Sequence, residues 1–215
     1  PFDTDATIPG VTAITARLRG NRDILEISPV LGSSIHVQAG IRYVASSTLG
    51  IDPSVQGDYE LLSGHDVTAP DAIVANDYLL RQLGARVGDT LNVATGYDPQ
   101  TRTYSGQRKL VVTGRVKFLY GANDQSASAM RRETLEAMTS ASPLAGSRST
   151  DRASLFMVRV RKGADAEKVR DWIETQLPNV TAISIATAIA QVDERLSYFR
   201  QLAFILGAVS LFVGF

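Results

Sequence analysis

Two histidines are the residues best suited to chemistry in this chain, and their surroundings give them little to work with. His36 falls on the polar side of a stretch that alternates apolar and polar residues, and His65 sits beside Asp66 in a loop-like segment. A zinc site would need both imidazoles plus carboxylates such as Asp66, because there is no cysteine to serve as a ligand. No His-Glu-x-x-His spacing sets two ligands on one helical face. Gly-x-Ser-x-Gly nucleophile elbows, phosphate-binding glycine loops and dinucleotide fingerprints are also missing from the sequence. Asp193 and Glu194 are neighbours on a predicted helix, so their carboxylates point apart and read as a solvated face. Arg131-Arg132 and Arg159, Arg161 and Lys162 are small basic clusters of the kind that solvate a surface. Tyr97 and Tyr104, with Pro99 between them, lie in a long polar connection and suit either edge packing or contact with a partner. The expectation is a chain with no catalytic residue, no cofactor and no metal, and not an enzyme.

Composition narrows the classes further. Lysine plus arginine and aspartate plus glutamate both number 22 in the 215 residues, so the formal charge is zero and nucleic acid is not an expected partner. The absence of cysteine excludes a disulfide framework and is compatible with an oxidising compartment. The chain opens on Pro1 with no leader sequence and is expected to be a piece of a longer polypeptide.

The elements that would position these residues can be read in order. Val11, Ile14 and Leu18 define one helical face, ended by Gly20-Asn21. A strand is expected over Asp23–Val30, a turn at Gly32-Ser33, and a second strand over Ile35–Tyr43, where the period of two is clearest. Leu49–Asp71 reads as irregular. Ala72–Ala75 reads as a buried strand, with Asn76 capping a helix over Asp77–Leu83 and Gly84 closing it. Val87-Gly88-Asp89-Thr90 turns into a strand over Leu91–Ala94. Gly96–Lys109 reads as a hairpin loop, Leu110–Tyr120 as a strand, Gly121–Ala129 as small and polar, and Arg131–Thr139 as a helix. Ser140–Asp151 reads as a flexible connection. A strand over Leu155–Arg161 has Phe156, Val158 and Val160 facing one way. A helix begins after Gly163-Ala164-Asp165, with Ala166, Val169, Ile173 and Leu177 as its stripe, and Pro178 stops it. Val180–Ile185 reads as a last strand.

Beyond it, Ile189, Val192, Leu196, Phe199, Ala203 and Leu206 continue a helical stripe from a Thr187 cap into the uncharged run Leu202–Phe215. Leu202, Phe204, Ile205, Leu206, Val209, Leu211, Phe212 and Val213 are the expected membrane segment, with Tyr198 and Phe199 beside Arg200 as an interface belt. The run is shorter than the roughly 20 residues of a full span. A buried core helix is therefore the alternative to the start of a transmembrane helix. As one helix, Thr187 to Phe215 would extend roughly 43 Å at about 1.5 Å per residue, a stiff lever between bilayer and domain. Arg195 and Arg200 stand on the side taken as outside, against the positive-inside tendency.

Taken together, helix–strand–strand at the front and strand–helix–strand at the back predict an α+β protein. One lobe is expected from residues 1–50 and 150–186, with an inserted β-rich lobe over 51–149 and a stalk helix over 187–215.

Ala72-Ile-Val-Ala-Asn-Asp-Tyr-Leu-Leu-Arg-Gln-Leu-Gly84, followed by Val87-Gly-Asp-Thr-Leu91, resembles the periplasmic core domain of MacB-like ABC transporter permeases. Leu110-Val-Val-Thr-Gly-Arg-Val116 is similar to the strand that follows in such domains. Leu61–Asp66 resembles the family's leucine-to-Gly-Arg stretch, with His65 where arginine is usual. The resemblance covers about residues 10–215. It implies a porter-like lobe made from the front and back of the segment, a β-rich insert, and a position on the periplasmic or extracellular side of the inner membrane. It further implies a permease dimer partner, a cytoplasmic ATP-binding subunit that carries the ATPase, and a periplasmic adaptor or substrate protein. Efflux, lipoprotein extraction and signalling are the kinds of work implied. A soluble binding or interaction module, and a hydrolase built on His36 or His65, are the alternatives.

Overall fold

The first helix shows how distant parts of the chain define local structure. Val11 and Leu18 bury one face of α1 (Val11–Leu18), which begins after Gly10 with no side-chain cap of its own. Its free amides are satisfied from far along the chain. The Asp151 carbonyl accepts from Gly10 N at 2.9 Å and Val11 N at 3.2 Å. The Asp151 carboxylate accepts from Thr12 N at 3.1 Å and from the Thr12 hydroxyl at 3.0 Å. The short strands β1 (Ile8–Pro9) and β11 (Arg152–Ala153) pair beside this junction.

The computed structural model describes residues 7–119, 124–141 and 150–184. They fall into two compact units, divided between Arg159 and Val160. The first is built on a mixed sheet of β2 (Ile24–Ala39), β3 (Arg42–Ile51), β4 (Tyr59–Gly64), β5 (Ala72–Asn76), β6 (Thr90–Ala94), β9 (Arg108–Phe118), β10 (Ala127–Arg131) and β12 (Leu155–Val160). Six of these strands close on themselves. β2 pairs antiparallel with β3, β3 parallel with β10, β10 antiparallel with β5, and β5 parallel with β9. β6 then bridges β9 and β2, antiparallel to both. The fold is therefore a sheet-dominated α+β barrel with β12 extending β2 and β4 extending β9. The ladder crosses residue 50, because β2 and β3 supply a third of the barrel wall. The boundary expected there thus falls inside one continuous sheet.

Alternation lines the barrel. Ile35, Val37, Ile73, Leu91, Val93, Leu110, Val112 and Met130 form one buried cluster with Leu79, Leu83 and Leu135 from the helices. Each such side chain contributes about 1.5–3 kcal/mol by leaving water. A second cluster on other faces of the sheet gathers Val30, Ile51, Tyr59, Val67, Val74, Val116 and Ala129. Leu155 and Met157 of β12 pack on it, on the strand face opposite the set Phe156, Val158 and Val160.

The helix α2 (Asp77–Leu83) forms as its sequence dictates. Asn76 Oδ1 accepts from Leu79 N at 3.0 Å, and Gly84 closes the helix at φ 66. The same asparagine has a second task. Its Nδ2 donates to the Gln125 carbonyl at 2.7 Å and its Oδ1 accepts from Ala127 N at 3.3 Å, which ties β10 to the start of α2. A β-carbon added at Gly84 would meet the Arg42 guanidinium, which lies over the helix C-terminus where a cation is favoured. α3 (Arg132–Ser140) follows β10 directly. Its Glu136 accepts from Arg132 Nη1 and Arg152 N at 2.7 and 3.0 Å.

Several expectations are corrected. Gly32-Ser33 is not a turn. β2 runs straight through it, and Gly32 N donates to the Ser154 hydroxyl at 2.9 Å. The alternating run Ile35–Tyr43 is not one strand. The chain reverses at Gly40-Ile41, with Gly40 at φ 57 and Ala39 paired with Arg42. A two-residue turn leaves the alternation looking intact while it redirects the chain, so Ile41 and Tyr43 face solvent. The segment Leu49–Asp71 holds the end of β3 and all of β4, and Gly121–Ala129 holds the start of β10. Those strands are set by their neighbours in the sheet more than by their own side chains.

The second unit is described by itself. α4 (Ala166–Gln176) is capped by Asp165, which accepts from Glu167 N and Lys168 N at 3.1 and 3.3 Å, and it buries Val169 and Ile173. Val180–Ser184 is not a strand, contrary to expectation; Ile185 lies outside the described residues. Ala182 N donates to Glu174 and the Ser184 hydroxyl to Glu167, so side chains of α4, not a neighbouring ladder, hold this segment.

Candidate functional site

The two histidines lie on different strands with different surroundings. His65 follows β4, exposed, with its amide donating to the Thr113 carbonyl at 2.8 Å. His36 is half-buried on β2 beneath the hairpin of β7 (Gly96–Asp98) and β8 (Thr103–Ser105). Among the described residues no group of three or more His, Cys, Asp or Glu is placed to hold a metal ion. Asp193 and Glu194, and the expected membrane residues Leu202 to Val213, lie outside the described residues. Among the described residues no helix is long and apolar enough to cross a membrane.

The basic clusters are engaged locally. Arg131 donates to the Thr68 carbonyl at 2.9 Å and to Glu133 at 3.0 Å. Arg132 pairs with Glu136, and Arg159 pairs with Glu26 at 2.7 Å.

Asp66 takes part in a cluster that its sequence neighbours did not reveal. Its Oδ1 accepts from the Tyr59 hydroxyl and from Val67 N at 2.7 Å. Burial pushes the Tyr59 phenol well above its ordinary range, with the bond to Asp66 and the charges of Asp66 and Asp58 adding to the effect. Burial also raises the Asp58 carboxyl, partly offset by the Gly57 amide. Tyr59 meets Phe118 edge-on with ring centroids 5.6 Å apart. These contacts latch the β4–β5 connection to β9.

The expected partner loop is where exposed side chains of a distinctive type converge. Tyr97 and Tyr104 face each other across the β7–β8 hairpin, with ring centroids 4.8 Å apart. Both contact His36, at 6.0 and 5.6 Å, and Tyr104 stacks on Tyr43 of β3 at 6.0 Å. Pro99 is exposed at the hairpin tip. The tip is closed by its own hydrogen bonds. Asp98 accepts from Gln100 N and the Thr101 hydroxyl, both at 2.8 Å, and those bonds, the hydroxyl's foremost, hold its carboxyl below the usual range. At the base, Thr95 donates its hydroxyl to the Met138 carbonyl at 2.9 Å, and Gly106 leaves no room for a β-carbon against that same pair. The result is an ordered aromatic surface: Tyr97 is 38 % exposed, Tyr43 56 % and the adjoining Ile41 95 %. Sequence reading singled out Tyr97, Pro99 and Tyr104. It did not foresee that His36, Tyr43 and Ile41 of the β2–β3 hairpin would stand beside them.

The fold has known counterparts. The chain has the fold of the extracytoplasmic domains of ABC-type transporter permeases. It superposes on the periplasmic region of MacB from Actinobacillus actinomycetemcomitans with a TM-score of 0.57 and 14% identity, covering 87% of this chain and 84% of that one. It superposes on the extracellular domain of the noncanonic ABC-type transporter YknZ from Gram-positive bacteria with a TM-score of 0.55 and 13% identity, covering 82% and 88%. Neither a protein-family model nor a curated protein matches the sequence. At these identities the permease-domain likeness is one of fold.

Proposed function

We propose that this chain is the extracytoplasmic domain of an ABC-type permease subunit. In this reading it is not an enzyme and holds no cofactor. It passes the work of ATP hydrolysis, carried out on a cytoplasmic ATP-binding subunit, to a task outside the inner membrane such as efflux, lipoprotein extraction or signalling. The apolar run Leu202–Phe215 would enter the bilayer, and the permease would act as a dimer with an adaptor or substrate protein at its outer domain. The observation that supports this most is the fold likeness to two such domains across more than four-fifths of the chain. These 215 residues hold no cysteine, so a direct test can use one introduced here, with any cysteine elsewhere in the subunit replaced. A single cysteine placed at the exposed Ser34, in the protein within its own membrane, should react with a membrane-impermeant maleimide in intact spheroplasts. Labelling only after lysis would refute the extracytoplasmic placement.

A further inference from the structure

Exposed cations border the aromatic surface. Ladder pairing sets Lys109 opposite Asn92, Asn92 opposite Gln38, and Gln38 opposite Tyr43. Directly paired residues share a face of the sheet, so these four form one row across the outer wall of the barrel. Arg102 stands at the hairpin tip at φ 54, whereas Arg42 and Arg108 adjoin this row in sequence and alternate to the other face of their strands, Arg108 opposite Val93. All four cations are exposed. Across residues 35–50 and 90–110 the one carboxylate is Asp98, and it is engaged by Gln100 and Thr101 within its own hairpin. None of the four cations forms an ion pair among the described residues. The chain as a whole carries no net charge, so the segments that build this face are locally rich in positive charge.

We propose that this face docks an acidic protein segment that carries an apolar or aromatic anchor. The anchor would seat against Ile41, Tyr97 and Tyr104, and its flanking carboxylates would meet Arg102 and Lys109. Aromatic and arginine side chains are the types that dominate binding energy at protein interfaces. Tyrosines already fixed by ring contacts lose little freedom on binding. The exposed amide of Asn92, in the same row, suits a polypeptide backbone. An anionic lipid surface fits less well, because the ionised Asp98 stands at the tip beside Pro99 and would face the headgroups. The chemistry of the face carries the proposal, and the proposed permease role decides only the compartment in which the partner is sought.

The test is photo-crosslinking of the full-length protein in its own membrane, with benzoylphenylalanine at Ile41 and, as control, at Leu119. Sequencing of the adduct should identify a protein segment rich in aspartate and glutamate. Arg102→Glu with Lys109→Glu should cut the Ile41 adduct by about fivefold or more, as reversal of charge complementarity predicts. Arg102→Asn, which tolerates the left-handed backbone, should cut it less while keeping the fold. An adduct no stronger than at Leu119, one with lipid or a second copy of this chain, one with a neutral or basic segment, or one indifferent to charge reversal would overturn the proposal. An acidic partner from the cytoplasm would support the docking surface and refute the extracytoplasmic placement.

Discussion

Tyr43 and Tyr104 lie nearly parallel, their rings 9° from coplanar orientation with centroids 6.0 Å apart, although one belongs to the barrel wall and the other to an added hairpin. This stack joins the β7–β8 hairpin to the β2–β3 turn. Tyr104 also touches His36 and Tyr97, so it is the ring with most partners in the cluster.

Tyr104→Ala should therefore cost more stability than Tyr97→Ala, which loses two ring contacts instead of three. A double-mutant cycle on Tyr43 and Tyr104 should return a coupling of about 0.5–1.5 kcal/mol. Urea unfolding of the four variants measures it. A coupling indistinguishable from zero would mean the stack is not formed in solution.

Asn76 serves α2 and β10 at once. Asn76→Ala should destabilise by about 1–3 kcal/mol, above an ordinary cap, because buried donors lose their acceptor as well. Asn76→Asp keeps the acceptor for Leu79 N and loses the donor to Gln125, so it should fall between. Equal losses for the two variants, in the same urea assay, would show that the cap alone matters.

Gly84→Ala combines a left-handed backbone with a clash against Arg42. The expected cost is about 1–2 kcal/mol. Adding Arg42→Ala removes the clash but not the backbone strain, so calorimetry of the double variant should show partial recovery only. Full recovery would locate the whole cost in the side-chain clash.

Asp58 binds its proton more tightly in the folded protein than in the unfolded chain, because burial raises its pKa. Unfolding then releases protons across the interval between the two values. The contribution of this group to stability is greatest in acid and falls as pH rises from the usual carboxylate range near about 4. Asp58→Asn should gain on the parent protein as pH increases through that interval. Thermal unfolding as a function of pH reads the difference, and parallel curves would refute the buried carboxyl.

Much of this was written in local sequence. Asn76, the apolar spacing of Leu79, Leu80 and Leu83, and Gly84 determine α2 between them, because a helix and its caps are closed by residues three and four apart. The same holds for Asp165 at the start of α4. What the sequence could not determine is nonlocal. Alternation from Ile35 to Tyr43 does not record that the chain reverses at Gly40, since a turn of two residues leaves the pattern unbroken. The helix α1 takes its cap from Asp151, and β10 is a strand because β3 and β5 flank it. Only the tertiary structure decided that β6 closes the barrel between β9 and β2, and that His36, Tyr43, Tyr97 and Tyr104 meet on its outer wall. Hydrogen-bond ladders and ring contacts between distant segments depend on which strands become neighbours, and no spacing along the chain encodes that choice by itself.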